Sequence, residues 1–145
     1  MWKDDISLLR NRYQEVIRDN ELLSQMSIDE RRAMIFDNLL SSDDDRFIMG
    51  CWFVVFWEES LSEEDRIMIK NSVLEKRMLF RKFRETMQYY HNQTYVFLIL
   101  CLILDIEPTP EEIDLGMSEL SVTPEDKEMA KEFLDRVKYS RMKQN

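Results

Sequence analysis

Histidine and glycine are scarce in this chain, and their scarcity excludes several kinds of catalytic site. Among its 145 residues there are one histidine, His91, and two glycines, Gly50 and Gly116. One histidine cannot supply the ligand pair of an HExxH metal site, and a catalytic triad would need a positioned partner for it. Two glycines so far apart cannot form a glycine-rich phosphate-binding loop. We therefore expect a protein that is not an enzyme and that has no metal or other cofactor.

The two cysteines and the apolar stretches indicate the compartment. Cys51 and Cys101 both lie inside apolar stretches, which favours buried thiols in a reducing compartment over a disulfide. The first residues, MWKDDISLLRNR, contain no apolar core of a signal peptide. The longest unbroken apolar stretch, YVFLILCLIL at 95–104, is far shorter than the roughly 20 residues that cross a bilayer. These features predict a cytoplasmic protein that does not enter a membrane.

Basic residues are outnumbered by acidic ones, 20 to 29, and the formal net charge is -9. A nucleic-acid-binding surface needs a basic patch that replaces the counterions of the phosphates, so we expect no nucleic-acid partner. The negative balance favours a basic protein partner, or it reflects only a solvated surface.

Good helix formers dominate the composition, and the apolar residues recur at helical spacing. Few glycines and only three prolines leave few places for tight β-turns. Ser27 with Glu30, and Ser62 with Asp65, have the spacing of a capping box. We predict an all-α fold of about seven helices. The expected helices cover residues 4–23, 28 to the SSDDD segment at 41–45, FIMGCWFVVFWEES at 47–60, 62–90 as one helix or as two that meet near residue 75, 94–105, and the segments after Thr109 and Thr123.

Two of the three prolines bracket Thr109. Pro108 disfavours helix in the residue before it, and Pro110 occupies a first helical position, where its missing N–H has no cost. Thr109 with Glu112 has the spacing of a capping box. Residues 104–110 are therefore predicted to end one helix and to begin the next.

This junction resembles the linker between hands in the calmodulin and myosin light chain family. The family's linker has the form L-G-x-x-P-T-x-E-E-L, and LDIEPTPEEI at 104–113 is similar to it. The triplet EFL at 132–134 stands where the family's loop-closing EFL stands. SIDERRAMIFDNLL at 27–40 is similar to an entering helix, and Ile48 would then hold the position of the inter-loop β contact. The resemblance implies EF-hand-like pairs of helices.

The two acidic loops of this interpretation, residues 41–52 and 121–132, have the length of a calcium loop but lack its chemistry. A calcium loop needs oxygen ligands at positions 1, 3, 5 and 12 and glycine at position 6. Arg46 and Asp126 occupy position 6, and Trp52 stands where the first loop needs a bidentate carboxylate. We expect neither loop to bind calcium. The degenerate ligand positions are Ser41, Asp43 and Asp45 in the first loop and Ser121, Thr123, Glu125 and Glu132 in the second.

Without the ion, the resemblance implies the family's other property, an apolar groove that holds an amphipathic helix of a larger protein. Ten methionines and eight phenylalanines suit such a groove, and the negative charge suits a basic helix, above all an IQ-type neck helix. Each of these side chains could equally belong to an ordinary core. The groove candidates are Met34, Phe53, Phe56, Phe97, Leu98, Met117, Met129, Phe133 and Val137. We expect two helical lobes, 1–91 and 92–145, or one continuous domain.

Two other functions stay open. FIMGCWFVVFW at 47–57 has a slight likeness to the W-G-R-containing segment of Bcl-2 proteins, although only Gly50 matches that motif. A helical bundle of that kind would bind an amphipathic helix in a groove of another shape. Alternatively, an acidic inhibitor or immunity protein would mask a basic partner by charge complementarity.

Overall fold

The structure is a computed structural model that describes residues 2–80 and 94–122, with side chains as far as Ser118. It confirms the predicted all-α class, because the described residues form seven α-helices and one short 3-10 helix and contain no strand. The helices are α1 (Trp2–Arg18), α2 (Glu21–Ser24), α3 (Ile28–Leu39), α4 (Asp44–Phe56), α5 (Glu63–Glu75), α6 (Thr94–Leu104) and α7 (Pro110–Val122); the 3-10 helix is Glu58–Ser60.

Capping boxes begin three helices at the residues that the sequence predicted. At α7 the Thr109 hydroxyl accepts from the Glu112 N–H at 3.2 Å, while the Glu112 carboxylate accepts from the Thr109 N–H at 2.8 Å. Each box satisfies two backbone N–H groups that the first helical turn leaves without a helical partner. The boxes of α3 and α5 are Ser27 with Glu30 and Ser62 with Asp65.

Two helices without an exposed polar face, α4 and α6, form the centre of the fold. Every residue of α6 except Leu102 is buried, and the apolar part of α4 buries all but Met49. α1 packs across both helices, α3 packs along α4, and α7 packs on α6. The Trp52 ring joins three of them, because its centroid lies 4.8 Å from that of Tyr13 and 5.8 Å from that of Tyr95. Neither α6 nor any other described helix has the length and apolarity needed to cross a membrane.

The two glycines lie where pairs of helices approach most closely. A Cβ atom at Gly50 of α4 would stand 2.8 Å from the backbone nitrogen of Leu39 in α3. A Cβ atom at Gly116 of α7 would stand 2.4 Å from Cδ1 of Leu98 in α6. Both distances are shorter than a normal carbon contact, so the missing side chains allow these helix pairs to pack closely.

The first helix is shorter than the predicted range of 4–23. α1 ends at Arg18, and α2 is a separate short helix. The carboxamide oxygen of Asn20 accepts a hydrogen bond from the Leu23 N–H at 3.0 Å, so Asn20 caps a new helix and does not continue the old one. Asparagine breaks the helix here because its side chain competes for backbone N–H groups.

Residues 41–52, which the sequence analysis interpreted as a loop of calcium-loop length, are mostly helical, so that prediction was wrong. Asp43 caps α4, and its carboxylate accepts from the Asp45 N–H at 2.9 Å. Ile48, the expected site of a β contact between loops, is a fully buried residue of α4. The apolar residues that follow Arg46 favour a buried helix over an exposed loop.

One helix ends and the next begins between Leu104 and Pro110, as the two prolines predicted. α6 ends at Leu104, and Asp105 takes a left-handed φ of 57°. The Ile106 N–H then donates to the Cys101 carbonyl at 3.0 Å, which is the main hydrogen bond of a Schellman motif. Pro110 begins α7.

Helices on both sides of residue 91 share one hydrophobic core. α6 packs against α1, α4 and α5, and the buried side chains of these helices form a single cluster. The predicted boundary between 1–91 and 92–145 therefore does not separate two cores within the described residues.

Candidate functional site on the exposed face of α5

The structure places most of the predicted groove residues in or against the core. Two of them, Met34 and Met117, are partly buried against the hydrophobic cluster. Three others, Met129, Phe133 and Val137, lie outside the described residues. The remaining four are at most 3% exposed: Phe53, Phe56, Phe97 and Leu98. In the described structure these four side chains pack among other helices. Phe56 also lines a surface cleft, together with Gln14 and Arg18.

The predicted loop positions lie in different kinds of local structure. The Ser41 hydroxyl accepts from the Asp43 N–H at 3.1 Å in the connection between α3 and α4, and Asp45 is in the first turn of α4. Ser121 is in the last turn of α7. The others, Thr123, Glu125 and Glu132, lie outside the described residues. Among the residues that the structure describes, no three His, Cys, Asp or Glu side chains are grouped so that they could hold a metal ion.

Both cysteines are free and buried, as predicted. Burial raises the pKa of the Cys51 thiol and, together with the nearby Glu112 carboxylate, raises the pKa of Cys101 to about 12. A thiol with a raised pKa carries little thiolate at neutral pH, and thiolate is the form that acts as a nucleophile or a metal ligand.

Exposed apolar side chains are concentrated on α5 and the turn after it. The described residues expose eight large hydrophobic side chains, and four of them belong to this segment: Ile67, Met68, Leu74 and Met78, with exposures of 55%, 53%, 39% and 67%. Ile67 and Leu74 are two helical turns apart and share one face of α5. Exposed apolar patches are a common feature of surfaces that bind other molecules. We call these four side chains the α5 patch.

The basic residues of α5 and of the turn after it are bound to other parts of the same chain. Arg66 and Arg77 pair with the carboxylates of Glu58 and Glu112, whereas Lys70 and Lys76 bond to neutral carbonyls and keep their positive charge. Each of the four cations makes a hydrogen bond of ordinary length. Arg66 donates to the Ile103 carbonyl at 3.2 Å, Lys70 to the Asp105 carbonyl at 3.0 Å, Lys76 to the Ser41 carbonyl at 3.3 Å, and Arg77 to the Glu112 carboxylate at 2.7 Å.

Three acidic residues beside the α5 patch are exposed: Glu63, Glu64 and Glu75. The five ion pairs found in the described part of the chain do not include any of them. Glu63 lies one helical turn before Ile67, and Glu75 follows Leu74 directly. The α5 patch is therefore apolar at its centre and acidic at its edges.

A cleft extends the α5 patch towards the end of α6. It has a volume of about 470 Å³. Ile67 lines it from α5, while Ile103 and Leu104 line it from α6. Glu63, Arg66, Lys70 and Asp105 also line it, so carboxylates and cations both stand at its edge. The cleft can therefore accept an apolar side chain that has polar neighbours.

A second acidic group lies near the end of α5, because Lys76 bonds to the connection between α3 and α4. This connection exposes Leu40, and α4 begins beside it with three consecutive aspartates, Asp43 to Asp45. Partial burial, and then the charges of Asp43 and Asp44, raise the pKa of Asp45. Burial is the larger cause, and the two neighbouring carboxylates add to it.

Comparisons of this chain with protein-family models, with curated proteins and with solved structures found no match. The geometry and charge of the α5 surface are therefore the grounds on which a function is inferred.

Sequence reasoning missed the α5 patch. In EEDRIMIKNSVLE, Ile69 and Val73 already supply the face that α5 buries. α5 therefore has three apolar residues more than its buried face requires: Ile67, Met68 and Leu74. This surplus of apolar residues is the signal for the α5 patch in the sequence.

Proposed function

We propose that this protein is a non-enzymatic binding protein that holds a basic amphipathic helix of another protein on the α5 patch. One observation carries this proposal: α5 exposes apolar side chains and carboxylates together. Within the described residues, these carboxylates are not part of an ion pair. The cations of the same segment hydrogen-bond to other parts of the chain and are only partly exposed, so the more exposed charged groups beside the patch are carboxylates.

An amphipathic helix fits this surface through its apolar stripe. Ile67 and the cleft beside it would take one apolar anchor of the partner, and Leu74 would contact a second anchor two turns along. Full burial of an aliphatic side chain of this size contributes about 1.5–3 kcal/mol. Lysine and arginine at the edges of the partner helix would lie near the acidic residues that flank the patch, which increases the rate of association and selects against acidic helices.

Charge favours a basic partner over a second copy of this chain. A symmetric dimer through α5 would place the same patch on both sides of the interface. Glu63, Glu64 and Glu75 of one copy would then face the same carboxylates of the other, and like charges across an interface are unfavourable.

An IQ-type neck helix is the first partner class to test, since the resemblance to the calmodulin and myosin light chain family implies it. In this proposal the helix lies on α5 and does not enter the region of Phe53 and Phe97, which are buried.

The test is a titration of labelled synthetic helices into the full chain, followed by fluorescence anisotropy. The probes are an IQ-type helix, a model helix of leucine and lysine, and a model helix of leucine and glutamate. Ile67→Lys should weaken binding of both basic helices by about tenfold or more, because it removes an apolar contact and adds a like charge. Leu8→Lys is the matched control, since Leu8 is 57% exposed on α1 and Ile67 is 55% exposed on α5.

The proposal is supported if only Ile67→Lys weakens binding while circular dichroism shows that both variants are folded. Equal losses in the two variants would instead indicate binding by overall charge, as expected of an acidic inhibitor, and would overturn the assignment to α5. Tight binding of the acidic helix would overturn the charge argument as well.

A further inference from the structure

α5 is joined to the rest of the fold mainly by charged side chains. It buries only Asp65, Ile69 and Val73. Among the described helices, α6 is the one against which α5 packs appreciably. Two buried aliphatic side chains give α5 a much smaller share of the hydrophobic stabilisation than α4 or α6 receives.

Hydrogen bonds from arginine and lysine hold both ends of α5. Near its start, Arg32 of α3 donates two bonds of 2.8 Å to the Asp65 carboxylate. After its end, Arg77 donates to the carboxylate of Glu112 in α7 and, at 2.9 Å, to the Glu107 carbonyl. These bonds tie α5 to helices that precede and follow it in the sequence.

Two of the cations cover buried aromatic rings. Lys76 Nζ lies 4.7 Å from the ring centroid of Phe47, and the guanidinium carbon of Arg77 lies 5.1 Å from that of Phe97. The Phe80 ring packs edge-on between the same two residues, with centroid distances of 6.2 Å and 5.1 Å. All three phenylalanines are at most 1% exposed. The end of α5 therefore covers a group of three aromatic side chains.

Buried residues anchor the chain on either side of α5. Leu61 is buried before it, and Phe80 is buried after it, where the Phe80 carbonyl accepts from the Thr94 hydroxyl at 3.2 Å. Between these anchors, Ile69 and Val73 are the only apolar residues that are buried. The segment 62–79 thus has two fixed ends and little apolar attachment between them.

We propose that segment 62–79 is a cover that opens as one unit about Leu61 and Phe80, and that the Arg77–Glu112 ion pair is its latch. Opening exposes the parts of Phe47 and Phe97 that Lys76 and Arg77 cover, while Phe80 keeps its contact with both rings. Segments with few buried apolar contacts open at a lower free energy than the global fold. The proposal goes beyond the binding function, because opening is a property of the free chain and is measured without a partner.

Hydrogen exchange followed by mass spectrometry of the full chain tests the latch. In the wild type, the amides of α5 should exchange faster than those of α4 and α6. Arg77→Gln and Glu112→Gln should each raise the exchange rate of α5 by about tenfold or more, as expected when a hydrogen bond between charged groups is weakened. The double variant should resemble the single variants, since both changes break the same pair. Glutamine at 112 can still complete the capping box of α7.

Arg46→Gln is the control. Arg46 of α4 donates to the Asn38 side chain at 3.3 Å and to the Asp37 carbonyl at 3.1 Å, so it ties α4 to α3 without touching α5. Exchange of α5 in step with α4 and α6 in every variant would show that α5 opens only with the whole molecule, and would overturn the proposal. An equal rise of the α5 exchange rate in Arg46→Gln would show that the Arg77–Glu112 pair is not the latch. If Arg77→Gln does not fold, Lys76→Met tests the same edge of α5 with the same readout.

Discussion

Gly50 controls how closely α3 can approach α4. The atom that a Cβ would meet is a backbone nitrogen, that of Leu39, which cannot rotate away as a side chain can. The sequence shows that glycine is scarce, but it does not show this contact, because Leu39 and Gly50 belong to different helices and no local pattern links them. Such contacts depend on the packing of the whole core.

Overpacking in Gly50→Ala is expected to cost about 1–3 kcal/mol. Alanine gains roughly 1 kcal/mol over glycine in helix propensity, so the free energy of unfolding should fall by a net amount of up to about 2 kcal/mol. Urea unfolding at neutral pH measures it. Gly116→Ala is the comparison, and it should be less harmful because the nearest atom there is the tip of the Leu98 side chain. A Gly50→Ala protein as stable as the wild type would show that α3 and α4 separate at little cost.

At the scale of elements, the starts of the helices were predictable because their causes are local. Ser27, Ser62 and Thr109 each have an acidic residue three positions later, and each forms the expected capping box. The break after Leu104 was predictable for the same reason, because proline restricts both itself and the residue before it.

The connection between α3 and α4 was not predictable from its acids alone. A run such as Asp43 to Asp45 is typical of calcium loops, but acids are equally favoured in the first turn of a helix. The apolar residues after Arg46 decide between these possibilities, because only a helix buries them while it satisfies their backbone groups.

The end of α6 offers a test at the same scale. Asp105 is the one non-glycine residue of the described chain with a positive φ, and it ends α6 in a Schellman motif. A left-handed backbone costs a residue with a side chain about 1–2 kcal/mol. Asp105→Gly should therefore raise stability by about 1 kcal/mol, less the entropy that glycine adds to the unfolded chain. Thermal unfolding measures the gain, and Asp105→Ala, which keeps a Cβ, should not reproduce it. A lower melting temperature for Asp105→Gly would count against the motif.

At the scale of the whole molecule, the net charge is only a sum. The fold buries some carboxylates against arginine and leaves others exposed. Three carboxylates are buried against arginine across long stretches of sequence, namely Glu58 with Arg10, Asp65 with Arg32, and Glu112 with Arg77. The exposed carboxylates beside α5, Glu63, Glu64 and Glu75, lie outside these pairs. The candidate site could not be predicted from a net charge of -9, because that sum does not show which charged side chains the fold leaves exposed on α5.

Two of these buried pairs predict how stability depends on pH. Hydrogen bonds from Arg32 are the main cause that lowers the pKa of Asp65 from its ordinary 3.8. Burial tends to raise the pKa of Glu112 from its ordinary 4.5, but hydrogen bonds from Arg77 and Thr109 outweigh burial and lower it. A carboxyl with a lower pKa in the folded state stabilises the fold above its unfolded pKa and loses that contribution as pH falls through the folded value.

Stability should therefore be nearly constant from about pH 7 to about pH 5 and should fall steadily below that. Urea midpoints across this range measure the fall. Asp45 acts in the opposite direction, because a carboxyl whose pKa is raised in the folded state stabilises the fold as pH falls. Its side chain is exposed, so this effect should be small. Glu112→Gln removes one of the two titrations, so the variant should be less stable than the wild type at neutral pH and should lose less stability on acidification. Parallel pH profiles for the two proteins would show that the Arg77–Glu112 pair does not contribute to acid sensitivity.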